Sequence, residues 1–449
     1  MGKKRLLAGI EHGLAYSNDF SPFNVVCVVK IEGRLDPERL RRAFELLQRR
    51  HPLLRAGLVS EKGSFYFAWG DVGPVPLRLV PRKSPDDWIA ATEAELNERM
   101  DVAAGPLLRC LYLQNPNAAG GESELILTLN HTILDATSAQ PLLRELFRAC
   151  TEERAETGPE ISAEGVLSAV ALFPRKLTGF GFARATAAYM ARQMADEAGY
   201  RWRSRKCRKP PIAESARNRI LPLRLSKPLT DALIRATRRQ RITMNSILGA
   251  ALMLAAKRYL YPSKDTPFRT ITFADLRPYL RETVPEDTLA CHMGMCRLTI
   301  QMQDRPDFWN LARELNDAIY RSNKRGERFL ANALSPGMMK MIVRMKKMRM
   351  GTTALSYAGP ISVDQDYGSI RIRGLHAFTT NMTIGPEFSA LSRLFLGEIW
   401  LDLLYIDTDM DSEMAARIAE EMRGILTEAA QSAASAAGPP SRSAGPGPH

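Results

Sequence analysis

The chain has 449 residues, 45% hydrophobic and 25% charged, so a large core and two or three domains are expected. No apolar run approaches the roughly 18 residues that span a bilayer, and the apolar stretch in MGKKRLLAGIEHG breaks too early for a secretory signal. The net charge of +13 comes without any recognisable nucleic-acid motif, which ranks nucleic acid last among partners.

In chain order, CVVKIEG (27–33) predicts a strand, and LDPERLRRAFELLQRRHP predicts a helix capped by Asp36 with Pro37 in its first turn. Leu40, Ala43, Phe44 and Leu47 form its buried stripe, and Pro52 stops it. GSFYFAW (63–69) and LLRCLYLQ (107–114) are strand candidates. A loop, NPNAAGGES (115–123), leads into the strand ELILTLN (124–130). SAQPLLRELFRAC (138–150) follows as a helix with Thr137 or Ser138 as its cap.

Residues 172–210 hold ten Lys/Arg against Asp196 and Glu197 and read as a basic helical insert with a crossover linker. Residues 338–350 hold five bases and no acid, so these two segments account for the whole positive excess. Such patches attract acidic carrier proteins, coenzyme A phosphates or anionic lipid heads. Met338, Met341, Met345 and Met348 follow helical spacing there. They read either as core packing or as a flexible apolar wall or lipid-facing stripe.

LPLRLS (221–226) restarts a strand, and helices follow at 228–240 and 244–260. Strands are then predicted at FRTITFADLRP, CRLTIQM, ALSYAGPISV, SIRIRGLHAFT and IWLDLLYID, with helices near 307–325 and at 412–429. The low-complexity stretch from about residue 431 reads as a disordered tail. The shared strand-and-helix rhythm of the two halves predicts two similar α/β lobes. Cys27, Cys110, Cys150, Cys207, Cys291 and Cys296 form no C-x-x-C pair, and reduced thiols in a cytoplasmic protein are the simplest account.

The strand 124–130 delivers His131 to its end, where scaffolds commonly present reactive groups. An imidazole near half protonation at neutral pH can take a proton from a hydroxyl or amine and return it. Asp135 either orients that ring or braces the loop by pairing with a cation. No G-x-S-x-G elbow supplies a nucleophile, and no H-E-x-x-H or Cys/His pattern supplies a metal site. A satisfied corner histidine is the plainer alternative. His51 reads as structural, and His12, His292 and His376 stand in no ligand-like spacing.

The segment NHTILDA (130–136) resembles the H-H-x-x-x-D-G motif of the condensation-domain and coenzyme-A-dependent acyltransferase superfamily. Other segments resemble the family in its own order: IEGRLDPERLRRAFELLQRRHPLLRAGL (31–58), TFADLRPYL (272–280), LSYAGPI (355–361) and the final strand and helix. The resemblance implies an α/β (α+β) fold of two chloramphenicol-acetyltransferase-like lobes forming a V around a central tunnel. The expected division is 1–171, an insert at 172–215, 216–430 and a tail at 431–449.

By the same resemblance His131 is the general base, and Asp135 holds the loop through a salt bridge to Arg277. Asn130, Ala136, Ser356, Tyr357 and Gly359 belong to the motif or the tunnel. Asn130 stands where the family has its first histidine, Ala136 where it has glycine, and Tyr357 where it has asparagine. The implied reaction is O-acylation of an alcohol, with an acyl-CoA or phosphopantetheinyl carrier as co-substrate and no resident cofactor. Amide formation by a stand-alone condensation domain, and a non-catalytic carrier-binding module, are the alternatives. A monomer is expected, cytoplasmic or in contact with a membrane surface.

Overall fold

Residues 35–51 show how local chemistry determines an element. Asp36 accepts from the Glu38 amide at 3.0 Å, Pro37 fills the first turn, and Leu40, Ala43, Phe44 and Leu47 turn inward. The chain leaves the helix at His51, before Pro52.

The computed structural model describes residues 3–115, 121–152, 158–204, 216–262, 265–304, 306–345 and 349–435. Its first half holds β1 (Lys4–Leu6), α1 (Ile10–Phe20), β2 (Asn24–Gly33), α2 (Pro37–Arg50), β3 (Ala56–Glu61), β4 (Ser64–Trp69) and β5 (Leu77–Pro81). There follow α3 (Asp87–Asn97), β6 (Leu108–Gln114), β7 (Glu122–Asn130), α4 (Ala136–Thr151) and α5 (Gly179–Arg203). The second half begins with β8 (Asn218–Leu225), α6 (Lys227–Gln240), α7 (Met244–Leu260), β9 (Thr266–Asp275) and β10 (Met293–Met302). Next come α8 (Phe308–Lys324), α9 (Glu327–Met345), β11 (Thr353–Pro360) and β12 (Ile370–Thr379). β13 (Phe388–Phe395), β14 (Glu398–Ile406) and α10 (Ser412–Ser435) close the described chain. Helices α1 and α3 and strands β1, β3, β5 and β13 fall outside the elements predicted from the sequence.

The strands form three sheets, giving a mixed α/β architecture. A five-stranded sheet has the order β12-β2-β7-β6-β5, a six-stranded one β10-β9-β11-β13-β14-β8, and a small one β1-β4-β3. Helices α2 and α4 cover one face of the five-stranded sheet. Helices α6, α7, α8 and α10 cover the six-stranded sheet through Leu233, Ile247, Leu311 and Ile418. The two large sheets meet where Val26, Val28, Ile126 and Phe378 pack on Ile220 and Leu404. No helix among the described residues is long and apolar enough to cross a membrane.

The sheets do not follow a division at residue 216. β12 comes from the second half, yet it pairs antiparallel with β2 from Thr379↔Val25 to Ile370↔Gly33. Its alternating pattern resembles that of any strand and carries no mark of a distant partner. α10 runs through Ser435, past the expected start of the tail, while residues 436–449 lie outside the described set.

The basic insert is a helix over 179–203, with residues 205–215 outside the described set. Its two acids both turn inward, Asp196 and Glu197 bonding the buried Arg269 at 3.0 and 2.9 Å. Outward it shows Phe180, Met194 and Trp202, exposed by 85%, 68% and 68%.

The predicted methionine stripe is not the buried face of its helix. Met341 and Met345 are exposed, while Met339 and Ile342 turn inward. The bases among the methionines leave the spacing ambiguous, and packing on α1 selects the face. Met348 and Cys207 lie outside the described residues, and the other five cysteines are free and buried.

Candidate active site

β7 ends at Asn130, and His131 is the first residue beyond it. The His131 amide donates to the Phe23 carbonyl at 3.1 Å, and its ring stacks on Phe23 with centroids 5.7 Å apart. Nδ1 lies 3.0 Å from the Leu134 carbonyl oxygen. A carbonyl only accepts, so Nδ1 carries the proton and Nε2 carries the lone pair. Nε2 has no protein partner among the described residues. Burial pushes the His131 pKa down, against the opposing pull of the backbone bonds and of Asp135. The ring is therefore neutral at pH 7.

Asp135 is the N-cap of α4, a role the sequence reading gave to Thr137 or Ser138. Its Oδ1 accepts from the Thr137 and Ser138 amides at 3.2 and 3.0 Å, and Ser138 Oγ returns a bond to the Asp135 amide at 3.1 Å. Its Oδ2 accepts from Arg277 Nη1 at 2.8 Å and from the His292 amide at 2.7 Å. Burial works to raise this carboxyl, but the Arg277 guanidinium and the Ser138 amide outweigh it and hold the pKa below the usual carboxylate range. With both oxygens engaged, Asp135 braces the turn and makes no bond to His131.

Arg277 also bonds Asp275 Oδ1 at 3.0 Å and the Ala290 carbonyl at 3.0 Å. Thr137 Oγ1 reaches Asp275 Oδ2 at 3.2 Å, which ties the turn to β9 a second time. Asp275, two residues before Arg277 in the quoted TFADLRPYL, was the available signal for this second tie. His292 and Phe23 had no comparable signal, because both act through backbone position and packing.

Asn130 is buried and does not line the site. Its Oδ1 accepts from the Thr132 amide and hydroxyl at 3.1 and 2.7 Å, and its Nδ2 donates to Asn18 at 3.1 Å. His51 is likewise structural, its Nε2 lying 2.9 Å from Glu145. His376 pairs with buried Asp402 at 2.7 Å, a pairing its spacing did not reveal.

A cavity of about 310 Å³ opens beside His131 between the two large sheets. His131, Asp135, Ala136, Ser356 and Tyr357 all line it. The Ala136 methyl is exposed on this wall, on the first turn of α4. Ser356 and Tyr357 lie on β11, and their hydroxyls have no protein partner among the described residues. Gly359 sits outside the lining at an irregularity between β11 and β13, where φ of 75° favours glycine.

Only three charged side chains line the cavity, and each is already paired. Asp135 and Asp275 share Arg277, and Arg393 bonds Asp402 at 2.5 Å. No cluster of three or more metal-ligating side chains occurs among the described residues. The arrangement can move a proton at Nε2 inside a largely apolar enclosure.

The sequence profile of the family described as Condensation domain matches residues 15–324. Among curated relatives, a linear gramicidin synthase of Brevibacillus parabrevis is 30% identical over 124 residues, covering 26% of this chain and 2% of that protein. Phosphinothricin tripeptide synthetase PhsC of Streptomyces viridochromogenes is 29% identical over 277 residues, covering 55% and 24% respectively. The chain thus matches a minor part of these relatives' length.

Among solved structures, a trichothecene 15-O-acetyltransferase from Fusarium sporotrichioides aligns with a TM-score of 0.76 at 13% identity over 95% of each chain. Polyketide synthase associated protein 5 from Mycobacterium tuberculosis aligns with 0.66 at 17%, over 95% of this chain and 97% of that one. At such identities the likeness is one of fold.

Proposed function

This chain belongs to the condensation-domain family, and on that premise we propose that it is an acyltransferase acting on an alcohol. An acyl thioester, on a carrier protein or coenzyme A, enters the cavity and meets the acceptor hydroxyl beside His131. Nε2 takes the hydroxyl proton as the oxygen bonds to the thioester carbonyl carbon. The C–S bond then breaks, and the imidazolium returns the proton to the leaving sulfur. The products are an ester and a free thiol, with no acyl group ever bonded to the protein.

One observation carries this reading: the Leu134 carbonyl pins the proton on Nδ1 and leaves Nε2 as a base beside the cavity. Asp135 and Arg277 act through position, holding the turn that presents the ring. The exposed Arg184 and Arg203 of α5 suit docking of an acidic carrier protein or of coenzyme A phosphates. The exposed Phe180 and Trp202 of the same helix also suit a membrane surface.

A second reading, amide formation, is favoured by the peptide synthetases among the curated relatives. Incubating the protein with acyl thioesters and a panel of alcohols and amines separates the readings. Ester that vanishes with His131→Ala supports the first, and amide supports the second. Tight carrier binding without turnover would identify a non-catalytic module.

A further inference from the structure

Five methionines line the cavity. Met293 and Met295 of β10, Met339 of α9, Met350 and Met382 converge on it from four separate stretches of chain. Met350 belongs to two apolar clusters at once, one containing Ile271, Phe273 and Met295, the other Met339, Met382 and Phe23. Phe23 in turn touches the cluster of Ile10, Leu14 and Met293. The apolar wall is thus continuous, and it reaches the catalytic imidazole, because Phe23 is the ring on which His131 stacks.

The lining also offers Ser356, Tyr357, Thr379, Ser389 and Ser392. Ser356 and Tyr357 are partly exposed there, and their hydroxyls have no protein partner among the described residues. Such hydroxyls favour a polar group of the ligand over a hydrocarbon.

Resting on the transferase reading above, we propose that the methionine-walled compartment binds the unbranched alkyl chain of a fatty acyl donor. Methionine is unbranched and has three rotatable bonds, so five of them adapt to a chain of variable conformation where branched side chains would impose one shape. Every charged side chain of the lining is already neutralised by a protein partner. A charged donor would therefore enter without a counterion and meet a large desolvation cost. A polyoxygenated chain would leave hydroxyls unpaired against the methionines. The alkyl chain meets neither penalty, and about 310 Å³ lies at the small end of ligand pockets, which span about 300–1,000 Å³.

The test uses the full chain and S-alkyl pantetheine thioethers, which bind as donors do but cannot be transferred. Calorimetry should show affinity rising about fourfold per added methylene, from methyl towards decyl, until the compartment is full. Met339→Trp should stop the rise at a shorter chain, and Met293→Phe, on a different element, should do the same.

A flat series overturns the proposal, as does a rise that neither variant shortens. Because the thioethers do not react, the outcome is separable from the transferase reading. A steep series from a protein that acylates nothing leaves this compartment standing and removes the reaction. Turnover with a flat series does the reverse.

Discussion

The turn from β7 to α4 and the wall formed by β11 and β13 face the same cavity but treat their polar groups in opposite ways. In the turn, Asn130, Thr132, Asp135, Thr137 and Ser138 all have protein partners. The nitrogen left over is His131 Nε2. On β11 and β13, the hydroxyls of Ser356, Tyr357 and Ser389 have no protein partner among the described residues. A satisfied network has one geometry and holds a base where it must be, whereas unspent donors are available to a ligand. On the proposed reading, the protein is rigid where it would react and open where it would recognise a ligand.

The largest test of this contrast removes the leftover nitrogen. His131→Ala should lower kcat by about 10²–10⁴ while thermal unfolding stays unchanged. A variant that keeps full turnover would break the comparison outright. Next is Arg277→Met, which strands a buried carboxylate and should cost about 3–5 kcal/mol in a denaturant titration. The double variant with Asp135→Asn should recover much of that loss, since removing both partners costs less than removing one.

A pH series sharpens the same point. Burial holds the His131 pKa below its ordinary 6.5, so protonation, and loss of kcat/KM, should set in only at more acidic pH. The Asp135 carboxyl is depressed instead, so its stabilisation is present above the ordinary carboxylate pKa and disappears as pH falls through the lower folded value. An acid limb of activity above pH 6.5 would contradict the assignment of the ring.

Ser392→Ala probes β13. It removes an unpaired buried hydroxyl, so stability should hold or rise by about 1 kcal/mol in a denaturant titration. The smallest effect is expected from Ala136→Gly, because that methyl already lies in open cavity space. Stability should fall by less than about 1 kcal/mol, and an assay showing a large rate change would mean the methyl shapes the channel.

How much of this was legible beforehand depended on how local the signal was. Asp36, Pro37 and the Leu40–Leu47 stripe predicted α2 because caps and periodicity reside within the helix itself. The pairing of Asp135 with Arg277 came through resemblance and is present at 2.8 Å, although 142 positions separate the two residues. The cap of α4 was misplaced by two or three residues, since Asp135, Thr137 and Ser138 are all good caps and only the turn's path selects the first. The methionine wall was illegible, because its members are scattered from 293 to 382 over a strand, a helix and two connecting segments and meet only in the folded chain. The partner of β12 was hidden for the same reason.

That pairing has a consequence for biosynthesis. A nascent chain must emerge past Thr379 before the open edge of β2 is covered, so the five-stranded sheet waits until residues 370–379 have been translated. Until then Val25–Gly33 offers unpaired backbone groups to any neighbouring polypeptide, and a fragment truncated ahead of Ile370 should be prone to clumping.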